Sequence, residues 1–217
     1  MKVKWLGHAC FLITAGSGLK IVTDPYEAGF RGIINYGPVR ESADIVTTSH
    51  GHGDHNYTAD LQGSPEVVQG AGKHLVKGIE FVGTSCYHDR VSGGERGENT
   101  IYCFTVDGIR VCHCGDLGHP LDDAALRSLG QVDLLLIPTG GPAATLELEE
   151  AVALWEKLRP AVVIPMHFRN DKCNFPKYGV DDLVYLKPEA MRTGSTEAEF
   201  TAGRLPAGQV LILEPAL

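Results

Sequence analysis

The sequence predicts an α/β fold in which two mixed β-sheets pack face to face with helices on the outside. Three observations carry this expectation. Short strands and hairpins fill the first half of the chain, strand–helix–strand units fill the second, and one further strand closes it. The 217 residues suit one domain, 1–217. Apolar residues make up 43% and charged residues 21%, enough to build a core without staples.

Residues 3–6, 9–14 and 19–23 read as strands, the last two joined by the turn Ala15-Gly16-Ser17-Gly18. Residues 33–41 read as a loop. Residues 43–48 form an apolar run that ends at Ser49-His50, followed by two strands at 66–69 and 78–83. The Gly-rich polar stretch 88–99 predicts a loop. Residues 100–106 and 109–114 make a hairpin about Asp107-Gly108, which suits a tight turn. Residues 122–129 read as a helix and 132–138 as a buried strand. Thr145 is placed to cap a helix running to Arg159, whose Leu148, Ala151, Val152, Trp155 and Leu158 share one face. Strand 161–165 delivers His167. A short helix at 181–186 and a strand at 210–213 complete the chain.

Composition excludes several functions. The net charge of −8, with 19 Lys and Arg scattered along the chain, gives no general attraction to nucleic acid or an anionic membrane. No apolar run reaches membrane-spanning length, and the first ten residues do not read as a signal peptide, so a cytoplasmic protein is expected. The six cysteines, with no CxxC pair, fit reduced, buried thiols.

The chemistry is concentrated in His50-Gly51-His52-Gly53-Asp54-His55, directly after a buried strand. His50 and His52, two apart in an extended segment, point the same way and can grip one cation. Asp54 and His55 follow as the chain turns and face a neighbouring position. Imidazole and carboxylate donors suit Zn²⁺, with Mn²⁺ and Fe²⁺ as alternatives. Further donors have to come from distant loops, and His88, His113, Asp116, His119 and His167 are the candidates.

This motif resembles the metal-binding signature of the metallo-β-lactamase superfamily. So do Gly7-His8-Ala9, Thr23-Asp24-Pro25, His88-Asp89, the string from Arg96 to Ile101, the string from His113 to Gly118, Ile137-Pro138-Thr139-Gly140-Gly141 and Ile164-Pro165-Met166-His167-Phe168. The set is similar to the branch of L-ascorbate-6-phosphate lactonase-like and N-acyl-phosphatidylethanolamine phospholipase D-like hydrolases. Two departures stand out. Gly140-Gly141 continues as Pro142-Ala143-Ala144-Thr145 where Tyr-Thr is frequent, and Phe168 follows His167 where Tyr is common.

The resemblance implies a four-layer αβ/βα sandwich with two divalent metal ions at one edge. It assigns His50, His52 and His88 to the first ion, Asp54, His55 and His167 to the second, and Asp116 to both. It implies hydrolysis of a small, anionic ester, lactone or phosphodiester by hydroxide generated at the metals. Asp54, Asp116 and His119 are the candidate catalytic residues, Asp54 as a base and His119, like His8, in proton delivery or substrate contact. Asp24 and His113 are candidates to orient ligands. Arg96 is a candidate for an anionic group or for loop packing. A metal-dependent binding or sensor protein and a nuclease of the same fold are the alternatives. The expected partner is a small-molecule substrate, with no nucleic acid and no membrane; a homo-oligomer remains open. The apolar loop 29–38 is expected to line the cleft or a contact between copies.

Overall fold

A computed structural model describes residues 1–142 and 144–217. Ala143, part of the Gly-Gly-Pro departure, lies outside the described residues. The strands, in chain order, are β1 (Lys2–Gly7), β2 (Cys10–Thr14), β3 (Lys20–Thr23), β4 (Ile45–Thr48), β5 (Glu66–Gln69), β6 (Gly72–Val76) and β7 (Ile79–Tyr87). They continue with β8 (Glu98–Val106), β9 (Ile109–His113), β10 (Leu134–Pro138), β11 (Val162–Met166), β12 (Met191–Arg192), β13 (Glu197–Glu199) and β14 (Gln209–Ile212). Among the described residues three α-helices intervene: α1 (Asp123–Leu129), α2 (Leu148–Leu158) and α3 (Val180–Leu186).

The strands form two mixed sheets. One runs β13-β1-β2-β3-β4-β5, the other β12-β14-β11-β10-β9-β8-β7-β6. In the first, β1 to β3 are antiparallel and β3, β4 and β5 are parallel. In the second, β6 to β9 form an antiparallel meander, and β9, β10, β11 and β14 run parallel. Every residue of β10 and β11 is buried, as expected of parallel strands covered on both faces.

Alternation along the first sheet sets the layers. Trp5, Phe11, Ile13, Ile21 and Ile45 point inward and share one core with Phe81, Tyr102, Phe104 and Val111 of the second sheet. Leu6, Leu12, Val22 and Val46 point outward. No α-helix among the described residues covers that outer face. Tyr26, Ile34, Tyr36 and Val39, from the loop after β3, pack on it instead. The three α-helices all lie in the second half of the chain. Both tryptophans are buried, and all six cysteines are buried and free.

Several elements differ from the sequence expectation for local reasons. The Thr145 hydroxyl donates to the Gly141 carbonyl (3.2 Å) instead of capping a helix. Helix α2 starts two residues later than a Thr145 cap requires, with Glu147 as its cap residue. There the Glu147 N–H is accepted by the Glu150 carboxylate (3.1 Å). Strand β7 continues past Gly83 to Tyr87 because β8 pairs with it throughout, from Phe81 opposite Phe104 to Tyr87 opposite Glu98. The loop after β3 contains a 3₁₀ turn at Phe30–Gly32. No helix among the described residues is long and apolar enough to cross a membrane.

Leu136 sits fully buried in the middle of β10. Leu136→Ala is expected to lower the unfolding free energy by about 2–5 kcal/mol, read as a reduced urea midpoint at unchanged slope.

Candidate metal centre

Each side chain of the site leaves the end of a strand. His8 follows β1, Asp24 follows β3, and Ser49 to His55 follow β4. His88 follows β7, Asp116 follows β9 and His167 follows β11. The two sheets therefore meet at one edge through loops of both. β4, β9 and β11 deliver theirs at carboxyl ends, where open α/β sheets collect ligands. The backbone is bent to do this. His8, Asp24 and His167 have φ of 53°, 39° and 53°, left-handed conformations that cost non-glycine residues about 1–3 kcal/mol.

Asp116 is at the centre. Its Oδ2 lies 3.2 Å from Nε2 of His55, of His88 and of His167. Around it are two imidazole groups. His50, His52 and His88 form one, with His50 Nε2 and His52 Nδ1 3.0 Å apart. His8, His55 and His167 form the other. Asp54 joins the second group, its Oδ2 being 3.4 Å from His8 Nε2 and 4.0 Å from His55 Nε2.

The donors fit divalent cations. Two atoms bound to one cation at 2.0–2.1 Å lie at most about 4.2 Å apart, which these separations satisfy. Several of the atoms are buried with no hydrogen-bond partner: Nε2 of His55, both ring nitrogens of His167 and Oδ1 of Asp116. Buried polar atoms normally have partners, so this convergence of orphans marks a site built for cations.

A supporting network sets the imidazoles. Asp24, fully buried, accepts from the Ser49 N–H (2.8 Å), the Ser49 hydroxyl and His55 Nδ1 (2.9 Å). The Ser49 oxygen in turn accepts from His50 Nδ1 (2.9 Å). Both rings are thus held in the tautomer that presents an Nε2 lone pair. Asn99 accepts the Asp116 N–H (3.0 Å) and donates to the Cys114 carbonyl (2.9 Å). Gly115 between them is required, because a Cβ there would lie 2.4 Å from Asn99 Oδ1 and 2.6 Å from Ser49 Cβ.

Electrostatics follow the geometry. Burial pushes the Asp116 carboxyl up, but His167 and His55 outweigh it and hold the group well below its usual range. Burial, with His167 beside it, pushes the His8 imidazole down to about 3. Burial likewise takes His50 down to about 3. The neutral form of His50 is the one that binds a cation, whereas at His55 the carboxylates of Asp116, Asp24 and Asp54 outweigh burial and hold the imidazole well above its usual value.

The group opens into a cavity of about 620 Å³, lined by Phe30, Ile33, His52, Asp54, Arg96 and Phe175 among others. Another cavity, of about 630 Å³, lies at the amino ends of β10, β11 and β14, beside Asp133, Trp155 and Arg159, and contains none of these donors.

A model of the β-lactamase superfamily domain matches residues 2–167. The chain belongs to the metallo-β-lactamase superfamily. It is 31% identical to a UPF0173 metal-dependent hydrolase of Methanoculleus marisnigri over 77% of this chain and 81% of that one. It is 30% identical to a UPF0173 metal-dependent hydrolase of Thermococcus kodakarensis, over 77% and 84%. A crystal structure of a Thermotoga maritima protein of the metallo-β-lactamase superfamily superposes with a TM-score of 0.80 at 32% identity over 98% of both chains. Like the relatives it matches, the chain is a metal-dependent hydrolase.

The seven residues expected as ligands, His50, His52, Asp54, His55, His88, Asp116 and His167, lie together at this sheet edge. His8, expected in proton delivery or substrate contact, is fully buried and faces Asp54. Asp24 does orient a ligand. His113 does not touch one: its Nε2 donates to the Ala9 carbonyl (2.8 Å), tying the two sheets together beside His8. His119 corrects an expectation. Its Nε2 accepts the Tyr87 N–H (3.1 Å) and its Nδ1 donates to the Pro120 carbonyl (2.9 Å), leaving no nitrogen for proton delivery. Ser49 and Asp89 were not legible as site residues. Asp89 accepts four N–H groups, from Val91, Gly93, Glu95 and Arg96, and so shapes the loop after His88; an Asp heading a Gly-rich stretch was the available signal.

Asp24→Asn is expected to leave the fold intact and weaken metal affinity about 10–100-fold, measured by chelator competition. Burial raises the Asp89 carboxyl, but the four N–H groups prevail and hold it at about 2. A depressed carboxyl contributes stability that is complete above its unfolded pKa near 4. The urea-midpoint advantage of the native chain over Asp89→Asn should therefore be full above about pH 5 and disappear as pH falls from about 4 through 2.

Proposed function

We propose that the protein hydrolyses a small, anionic ester, lactone or phosphodiester using two divalent cations, Zn²⁺ first, with Mn²⁺ or Fe²⁺ as alternatives. The observation that carries this reading is the single Asp116 oxygen 3.2 Å from three imidazoles that belong to two separate donor groups. A carboxylate so placed suits two cations better than one. His50, His52 and His88 would hold one; Asp54, His55 and His167 would hold the other; Asp116 would be shared.

Bound cations supply Lewis acidity and hydroxide at neutral pH. The chain's own residues supply the order around them. Asp24 and Ser49 keep His55 and His50 in the ligating tautomer. Asn99 fixes the backbone of Asp116. Asp54 lines the cavity and has an oxygen available to accept a proton from the attacking water. His8 Nε2 lies 3.4 Å from that carboxylate on the buried side and has no hydrogen-bond partner of its own.

The test is elemental analysis with hydrolysis of bis(p-nitrophenyl) phosphate and a small lactone panel after Zn²⁺ or Mn²⁺ loading. Two equivalents of metal with metal-dependent turnover are expected. Asp116→Asn, which preserves shape, should retain less than two equivalents and lose at least about a hundredfold in kcat/KM. Full metal content and full turnover in that variant would overturn the shared-carboxylate assignment.

A further inference from the structure

The cavity beside the donors has two unlike walls. Phe30, Ile33 and Phe175 make one of them apolar. Arg31 and Arg96 bring guanidinium groups to the same cavity from different loops. Arg90, Arg169 and Arg192 elsewhere are ion-paired with Glu150, Asp182 and Asp181, whereas the other unpaired arginines, such as Arg40 and Arg127, lie away from the donors. Arg31 and Arg96 have no ion pair and no side-chain hydrogen bond among the described residues. Two guanidinium groups without an acidic partner line this cleft together with Glu95, Asp54 and Asp116.

Both are presented by constructed loops. Arg31 has φ of 49°, and its guanidinium carbon lies 5.1 Å from the Phe30 ring centroid. This cation–π contact engages the face of the guanidinium, and its N–H groups have no acceptor among the described residues. Phe30 is itself seated on the ligand loop: a Cβ on Gly53 would lie 2.6 Å from Phe30 Cε2, and the Glu27 N–H donates to the Gly53 carbonyl (2.9 Å). Arg96 is held through its backbone N–H by Asp89 (2.7 Å), the neighbour of His88. The other charged residues facing the cavity are Glu95, with no ion pair among the described residues, and Asp54 and Asp116, both committed to histidines.

We infer that Arg31 and Arg96 are specificity-determining residues that bind an anionic head group, carboxylate or phosphate, of a substrate whose apolar body lies against Phe30, Ile33 and Phe175. The inference rests on the hydrolase reading and narrows it to amphipathic acids bearing the scissile ester. Neither arginine takes part in bond cleavage.

Two measurements on the Zn²⁺-loaded full chain test it. The first compares KM for 4-nitrophenyl hemiglutarate and for neutral 4-nitrophenyl butyrate in the native chain, Arg31→Ala and Arg96→Ala. Each variant should raise KM for the hemiglutarate about tenfold and leave the butyrate within twofold. Equal effects on both esters, or none, would overturn the clamp while leaving the hydrolase reading standing. The second is calorimetric binding of 4-phenylbutyrate, 3-phenylpropylphosphonate and neutral 4-phenylbutanol, which needs no turnover. Absent hydrolysis of every ester would count against the hydrolase reading alone. Binding then decides the inference: both acids should lose about tenfold in each variant and the alcohol should not change. The tighter acid identifies the head group, and either order supports the clamp. Acid binding that is insensitive to both substitutions would refute it.

Discussion

One buried carboxylate organises this molecule. Asp116 sits at the end of a strand in the centre of the eight-stranded sheet, yet one of the imidazoles it faces, His55, comes from the six-stranded sheet. Burying a carboxylate without compensation is prohibitive. Here three nitrogens face one oxygen, and the backbone that positions it is clamped by Asn99. The loops of both sheets have to arrive at this edge for the charge to be tolerated. The positive φ at His8, Asp24 and His167 records the local cost of bringing them there. That cost is spread over a shared apolar core that already holds the sheets in register.

The layers around the carboxylate divide the work. Inward alternation on β1 to β4 builds the core with β7 to β9, and outward alternation requires a cover. The loop after β3 supplies that cover on either side of a segment, Phe30 to Ile33, that reaches the cleft. Asp24, at the start of the same loop, holds His55. A single connection thus contributes to stability, to ligand orientation and to the shape of the cavity.

Much of this was legible in the sequence. The His50–His55 motif announced its chemistry because donors so closely spaced after a buried strand have few other uses. Strands β10 and β11 were legible because a continuous apolar run needs cover on both faces. What stayed hidden depended on partners distant in sequence. Thr145 carries a good capping side chain, but tertiary geometry gives its hydroxyl to Gly141. His119 looks like a free imidazole until Tyr87 and Pro120 occupy both nitrogens. Ser49 looks like a linker residue until Asp24, 25 positions away, is placed against it. His8 reads as a group for proton delivery or substrate contact until His167 of the second sheet packs against it and buries it.

The seating of Phe30 on Gly53 has a consequence for how such an enzyme can change. The segment that would have to mutate to admit a new substrate is the one that roofs the outer face of the first sheet and rests on the ligand loop. Retuning selectivity there cannot be independent of folding: a bulkier or more polar Phe30 or Ile33 disturbs Ile34, Tyr36 and Gly53 together. The loop carrying Arg96 is anchored differently, by one aspartate and backbone N–H groups, so its side chains can be exchanged at little structural cost. Divergence within this architecture is therefore expected to proceed faster on the Arg96 side of the cleft than on the Phe30 side.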